Sequence, residues 1–173
     1  AVQLHQARAR YLEHKLRAVN ATNMTFKSVL SVEFRVGTWT TRAQQCIRDQ
    51  WGGHRHPDAS WDWDAILYRH RDPDAFAFAG WVNEHRLGFV GLAVTTSISV
   101  ELKFVEGDPR EDCPIGGSRA LIALDLSANY AEACGKQEVW VRPVNPTLER
   151  LYISLGFEVE APMGQPRYFR RRL

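Results

Sequence analysis

The sequence predicts an α+β fold, in which a mixed and mostly antiparallel sheet carries helices on both faces. Three observations lead to this prediction: three consecutive β-type runs over residues 75–105, alternating helix and strand patterns over 116–155, and two short β-type runs at the end. A chain of 173 residues, without an internal repeat or a long linker, fits one domain over residues 1–173.

The composition narrows the classes of function. Hydrophobic residues make up 45% of the chain and charged residues 24%, as in ordinary globular proteins, and the 11% of aromatic residues argues against disorder. The net charge of +2 predicts no nucleic-acid partner. No apolar run is long enough for a membrane span, and the first residues do not resemble a signal peptide. Cys46, Cys113 and Cys134 have no disulfide-framework spacing, so we expect free thiols and a cytoplasmic protein.

The first 70 residues give mixed patterns. Apolar residues at helical spacing predict an amphipathic helix over 3–18, which we expect to end at Asn20–Asn23. An alternating run predicts a strand over 26–36. Thr40 or Thr41 can cap a short helix that ends near residue 49. Residues 52–58 have the composition of a loop, and acids within 61–64 fit the first turn of another helix.

The rest of the chain has clearer boundaries. Three strands are predicted at 75–82, 86–95 and 98–105, followed by a helix at 116–135 and a strand at 138–141. A second helix over 146–155 ends at Gly156, a residue type that commonly terminates helices. Short strands are predicted near 157–159 and 167–171.

A glycine-rich loop lies where a long helix begins, at Cys113-Pro-Ile-Gly-Gly-Ser-Arg-Ala. Backbone N–H groups at a helix N-terminus point outward, and glycines let an anion approach them closely. The loop is therefore a candidate phosphate site, although a simple turn and cap would have the same sequence.

A second motif lies in the helix that follows. Asn145 precedes Tyr152 by seven residues, and Gly156-Phe157 follows. Tyr152 lies among apolar residues one turn before the end of the helix, so by itself it fits a core tyrosine whose hydroxyl finds a backbone partner.

Taken together, the two motifs resemble the GNAT superfamily of acetyl-CoA-dependent N-acetyltransferases over roughly residues 75–171. Gly116 matches the first glycine of that family's pyrophosphate signature, and Ser118 replaces the second. Cys113 stands where the family usually has Gln or Arg, a side chain that donates to a phosphate. The resemblance implies acetyl-CoA as cosubstrate and no metal, with the cofactor between the fourth and fifth strands.

The resemblance also implies roles for individual residues. Asn145 would lie near the pantetheine or the end of the splayed strand. Tyr152 would protonate the leaving thiolate, a step that is chemically sensible because a phenol with a pKa of about 10 can supply a proton to a thiolate whose conjugate acid has a pKa of about 8.5. Backbone amides of the loop would bind the pyrophosphate, namely those of Ile115, Gly116, Gly117, Ser118, Arg119 and Ala120.

Glu101 is the candidate general base. Protein-modifying members of the family carry a base Glu at about its distance before the loop, and strand alternation places it opposite a row formed by Ile98, Val100, Leu102 and Phe104. An ordinary half-exposed glutamate would follow the same pattern. Four other acids compete for the role, and we expect them to form a solvated loop or a rim that attracts a cationic substrate: Glu106, Asp108, Glu111 and Asp112.

Two features of the chain's first half bear on other ligands. His54, His56 and Asp58 lack a further ligand at metal spacing, so they predict a surface loop. The stretch Trp61-Asp-Trp-Asp64 fits a helix first turn and could also line an amine pocket.

The resulting prediction is an N-acetyltransferase that acts on a primary amine of a small molecule or a protein, in a fold whose relatives commonly form homodimers. One alternative is a non-catalytic acyl-CoA-binding or interaction module, which the residues at Cys113 and Ser118 favour. The other is an acetyltransferase for an RNA-borne amine. Its phosphate contacts would come from Arg8, Arg10, Lys15, Arg17 and Arg170-Arg-Arg172.

Overall fold

The computed structural model of the chain describes residues 1–56, 60–143 and 145–173. The helices are α1 (Val2–Lys27), α2 (Thr41–Cys46), α3 (Trp63–Arg69), α4 (Arg119–Ala133) and α5 (Pro146–Ser154), and a π-helical segment (Ile47–Trp51) directly follows α2. The strands are β1 (Phe34–Thr38), β2 (Phe76–Val82), β3 (Arg86–Thr95), β4 (Ser99–Gly107), β5 (Glu138–Val141), β6 (Glu158–Glu160) and β7 (Tyr168–Arg172).

The described strands form one sheet in the order β1-β2-β3-β4-β5-β7-β6. Strands β4 and β5 are parallel, and every other neighbouring pair is antiparallel. The parallel pair needs a crossover, which α4 supplies. The predicted mixed, mostly antiparallel sheet is therefore confirmed.

Helices cover both faces of the sheet, as the sequence predicts. One core cluster joins α1 and α4 to side chains such as Phe76, Val100 and Val139. A second cluster on the other face joins α2, the π-helical segment and α3 to side chains of β2, β3 and β4. The free cysteines are also confirmed, since all three are unpaired and partly buried. None of the described helices combines the length and the apolar character that a bilayer crossing needs.

The N-terminal prediction needs correction. Helix α1 continues through Asn20–Asn23 to Lys27, and β1 begins only at Phe34. Tertiary partners override the weak helix propensity of these residues. Thr22 donates to Asp125 at 2.9 Å, and the Asn23 side chain bonds both the N–H (2.8 Å) and the C=O (3.1 Å) of Val36 at the sheet edge.

The predicted local signals in the remaining elements are largely confirmed. Thr40 caps α2 and Asp62 caps α3 through their side chains. Gly156 follows α5 with a φ of +87°, a conformation in which glycine carries no steric penalty. Helix α4 begins at Arg119 rather than at Gly116, because residues 114–118 form turns.

A β-bulge in β4 changes which side chains share a face. Ala93 pairs with Leu102, but its neighbour Leu92 pairs with Phe104, so Lys103 is the extra residue. Phe104 and Glu106 consequently lie on the face of Glu101, towards the second core, while Val100 and Leu102 point to the first. The predicted apolar row is right for Val100 and Leu102 and wrong for Phe104.

Candidate active site

The sheet opens between β4 and β5. Their parallel pairing joins Ser99–Leu102 to Glu138–Val141, and β4 then continues to Gly107 with no described strand on that side. Arg142, the first residue after β5, directly follows the last residue that pairs with β4. We call this opening, where the pairing ends after Leu102 and Val141, the fork. It leaves part of the β4 edge without a strand partner among the described residues.

The N-terminus of α4 lies next to this opening. The amides of Gly116 and Ser118 are engaged in turns with Cys113 (3.1 Å) and Ile115 (2.9 Å), and the Ser118 side chain makes no cap hydrogen bond. The Ile115 side chain is buried in the first core. Other amides of this segment find no acceptor among the described residues, and the helix dipole adds positive potential to them. They include those of Gly117, Arg119, Ala120 and Leu121.

The Arg119 side chain adds a fixed charge at the same place. Its Nη1 donates to the Asp108 carbonyl at 2.7 Å, and its guanidinium lies against Gly107, where an added Cβ would come within 2.1 Å of it. Arg119, Gly116 and Cys113 line a cavity of about 340 Å³ at the end of β4. The sequence motif directs attention to the Arg119 amide and gives no signal for its guanidinium.

Asp108 anchors the loop beyond β4. Its side chain is fully buried, and it accepts hydrogen bonds from Arg86 (2.7 Å) and from the backbone and side chain of Arg110. Burial raises the pKa of this carboxyl, but the bonds from Arg110 and Arg86 outweigh burial and hold it below its usual value. The expectation of a solvated acid is wrong for Asp108 and holds for the exposed Glu111 and Asp112.

Glu106 is also buried, and its carboxylate accepts four hydrogen bonds. Arg55 donates two, from Nε (2.8 Å) and Nη2 (2.7 Å), and the Trp61 amide and the Trp63 indole donate the others at 3.1 and 2.9 Å. Each of the donors belongs to the segment before or within α3. Glu106 therefore fastens that segment to β4, which corrects the prediction that it is solvated.

Glu101 has quite different surroundings, although it lies on the same strand and face. It is 8% exposed, and its carboxylate accepts no hydrogen bond from the residues that the structure describes. The Nε of Arg142 lies 3.4 Å from Oε1, and the Arg142 side chain is itself 49% exposed. Glu101 can therefore still accept hydrogen bonds from a ligand.

Tyr152 lies in the first core, on the other face of the sheet. Its ring contacts Phe157 (5.8 Å between centroids) and Phe169 (6.2 Å), and its hydroxyl makes no hydrogen bond within the described residues. Burial raises its pKa to about 12, so it is protonated at neutral pH. Asn145 caps α5 by accepting from the Leu148 amide at 2.9 Å.

Comparison with solved structures identifies this architecture. The chain has the GNAT fold. An acetyltransferase of the GNAT family from Staphylococcus aureus Mu50 aligns over 81% of this chain and 99% of its own, with a TM-score of 0.58 and 9% identity. The ribosomal-protein-S18-alanine N-acetyltransferase from Escherichia coli aligns over 82% and 93%, with a TM-score of 0.57 and 14% identity.

A third similar structure contains a ligand. The PaiA N-acetyltransferase from Thermoplasma acidophilum, in complex with coenzyme A, aligns over 82% of this chain and 99% of its own, with a TM-score of 0.53 and 14% identity. No protein-family model and no curated protein sequence matches the chain.

In this GNAT fold, the segment before and within α3 forms an aromatic wall above β4. Phe104 lies 4.9 Å from Trp61 and 6.1 Å from His70, measured between ring centroids. Burial, together with Lys103 and Arg69, lowers the pKa of His70. The sequence gives no signal for His70, because its partner Phe104 reaches this face only through the bulge.

The other residues that the sequence analysis considered for ligand binding lie in or before α3. Asp62 and Asp64 belong to the start of α3, as expected from the first-turn pattern. Of the residues in the predicted surface loop, Asp58 lies outside the described residues, and His56 lines the cavity beside Arg119. Within the described residues, no group of three or more acidic, histidine or cysteine side chains is arranged to hold a metal.

Proposed function

We propose that this GNAT-fold chain is an N-acetyltransferase that moves the acetyl group of acetyl-CoA to a primary amine. One observation carries the proposal: the fork between β4 and β5 has unpartnered amides and Arg119 on one side and a carboxylate with free acceptor capacity, Glu101, on the other. This arrangement offers an anion site and a proton acceptor on either side of one opening.

The residues at the α4 N-terminus fit a pyrophosphate. Amides without protein acceptors and a helix dipole favour a bound anion. The Arg119 guanidinium compensates for Cys113, which stands at the usual position of a donor side chain in the resembled motif. The exposed Glu111 on the rim of the same cavity opposes an anion, but solvent screens its charge.

Acetyl-CoA supplies an activated acyl group as a thioester. On the protein side, Tyr152 holds a proton on a hydroxyl that has no hydrogen-bond partner among the described residues, in the core on the face of the sheet opposite Glu101. Because this phenol is already protonated at neutral pH, it can donate its proton directly to the leaving thiolate. Asn145 stabilises the start of α5, the helix that carries Tyr152.

Glu101 serves as the proton acceptor for the amine. A primary alkyl amine has a pKa of about 10.4 and is almost fully protonated at neutral pH, whereas attack on a carbonyl needs its lone pair. The Glu101 carboxylate can bind the ammonium and accept its proton, directly or through one water. Glu106 is a weaker candidate because four donors already occupy its oxygens.

The alternatives receive less support. The module hypothesis rests on Cys113 and Ser118, but Arg119 provides the missing charge. In the RNA hypothesis, Lys15 and Arg170 would contact phosphates. Lys15 donates instead to the Pro73 carbonyl at 2.9 Å, and Arg170 lies 2.6 Å from Glu160 and 3.6 Å from Glu138.

The first test concerns the phosphate site. An added Cβ at Gly117 meets nothing within 4 Å, so Gly117→Glu places a negative charge among the amides without disturbing the fold. We expect this variant to lose CoA binding, measured by isothermal titration calorimetry, by at least about 100-fold. Gly53→Glu is the matched control, because Gly53 is exposed and its added Cβ also meets nothing within 4 Å.

The control should bind CoA like the parent and should release thiol from acetyl-CoA at the parental rate with an active amine. Equal CoA affinity in the parent and in Gly117→Glu would show that the pyrophosphate lies elsewhere. A parent that fails to bind CoA at all would end the enzyme proposal.

A further inference from the structure

Arg142 and Glu101 form an unusual ion pair at the fork. The two groups approach to 3.4 Å, and neither makes a hydrogen bond with any residue that the structure describes. Half of the Arg142 side chain is open to solvent. The Glu101 carboxylate can thus still accept hydrogen bonds from a ligand, and the planar Arg142 guanidinium can still donate them.

A structural ion pair in the same sheet shows the difference. Arg170 contacts Glu160 at 2.6 Å and also Glu138 and Glu158, with only 22% of its side chain exposed. The Arg170 guanidinium is shared among three carboxylates, while Arg142 has one ion-pair partner among the described residues, at 3.4 Å. A role in stability accounts for Arg170 and leaves the exposed donors of Arg142 unexplained.

A carboxylate and a guanidinium side by side are complementary to a zwitterionic ligand, which carries one positive and one negative group close together. The amino nitrogen and a carboxylate oxygen of an α-amino acid are about 3 Å apart, close to the spacing of the Glu101–Arg142 pair. The ammonium would bind Glu101, and the carboxylate would accept from the Arg142 guanidinium, an arrangement that arginine favours.

We propose that the acetyl acceptor is a free α-amino acid, whose carboxylate Arg142 recognises while Glu101 holds the amine. This inference rests on the proposed function. Arg142 is then the residue that determines specificity. It selects zwitterionic amines over simple cationic ones, because both bring an ammonium to Glu101 but only the zwitterion also offers the guanidinium a carboxylate.

The neighbouring surface suits an aromatic or apolar side chain. Trp140 pairs in register with Glu101, and its ring lies 4.6 Å from the ring of Tyr168. The Trp140 indole is oriented by a 2.9 Å bond to Glu138. Both rings are half-buried, and the second core cluster ends at β4, so helices α2 and α3 do not pack on this pair.

The test compares two acceptors of nearly the same shape: L-tyrosine and L-tyrosinamide, in which a neutral carboxamide replaces the carboxylate. For the parent we expect kcat/KM to favour tyrosine by about tenfold. Arg142→Gln should lower this ratio about tenfold relative to the parent, mainly through the KM for tyrosine. Arg142→Lys should restore part of the preference. Comparing ratios between variants cancels the intrinsic reactivity of the two amines.

Arg35→Gln is the matched control, since Arg35 is an exposed arginine on β1, at the opposite end of the sheet. It should keep the parental ratio. Calorimetric titration of tyrosine into the enzyme–CoA complex should show the same loss in Arg142→Gln as the KM does.

The outcomes separate this inference from the proposed function. An enzyme that acetylates tyrosinamide as well as tyrosine, or whose preference survives in Arg142→Gln, retains the function and loses the inference. An enzyme that binds CoA but acetylates neither compound also overturns the inference. Absence of both CoA binding and acetyl transfer to any amine overturns the proposed function itself.

Discussion

Glu101 and Glu106 lie on the same face of β4, five residues apart, and both are buried, yet their surroundings differ completely. Glu106 accepts four hydrogen bonds, two of them from Arg55. Among the described residues, Glu101 has one ion pair, at 3.4 Å with the exposed Arg142. Burial alone therefore does not distinguish a structural carboxylate from one that is available to a ligand. The number of hydrogen bonds that the carboxylate already accepts distinguishes them.

The physical reason is that a buried carboxylate needs compensation for lost solvation. At Glu106 the protein provides all of it, which stabilises the structure and leaves nothing for a ligand. At Glu101 the compensation is incomplete, which costs stability and preserves the capacity to bind a cation and accept a proton. We therefore expect substitution of Glu106 to lower the stability of the fold and substitution of Glu101 to lower turnover.

The largest effect on turnover is expected at Tyr152, on the opposite face of the sheet. Tyr152→Phe removes the proton donor and keeps the ring contacts with Phe157 and Phe169, so kcat should fall about 10²–10⁴-fold while CoA affinity changes little. Because burial raises its pKa to about 12, the tyrosine should stay protonated, and the parent's kcat should not decline between pH 8 and 10.

The measurement is steady-state thiol release, with calorimetry for CoA. Near-parental kcat in Tyr152→Phe would leave Tyr152 as a core residue and place the general acid elsewhere.

Of the two glutamates, Glu106 is expected to contribute more to stability. Glu106→Gln removes the charge that pairs with the mostly buried Arg55 and weakens the bonds that hold the Trp61–Trp63 segment. We expect the free energy of unfolding in urea to fall by about 2–4 kcal/mol. Glu101→Gln should cost less than about 1 kcal/mol, because the one ion pair that Glu101 forms with a described residue is long and half-exposed. Equal losses in the two variants would contradict the contrast drawn between them.

The sequence predicts the parts of the fold that depend on local patterns. Alternation places Glu101 opposite Val100 and Leu102, and the Gly156 terminus and the Thr40 cap are local signals that the structure confirms. The GNAT resemblance likewise rests on two continuous motifs.

Long-range contacts account for what the sequence misses. The bulge at Lys103 depends on pairing between β3 and β4, and it reverses the faces of Phe104 and Glu106. Arg55, which neutralises Glu106, lies 51 residues earlier in the chain, so the acidic run after residue 105 falsely indicates a solvated loop. Arg142 looks like an ordinary strand-end residue until the register brings it beside Glu101.

The most direct test of Glu101 as the proton acceptor is a pH–rate profile of Glu101→Gln beside the parent, with one common amine, from pH 6 to 10. We expect kcat/KM of the variant to fall about 100-fold at pH 7. The gap should narrow as the pH rises, because a growing fraction of the amine is already deprotonated and no longer needs the carboxylate. Superimposable profiles would contradict the assignment of Glu101 as the proton acceptor at the fork.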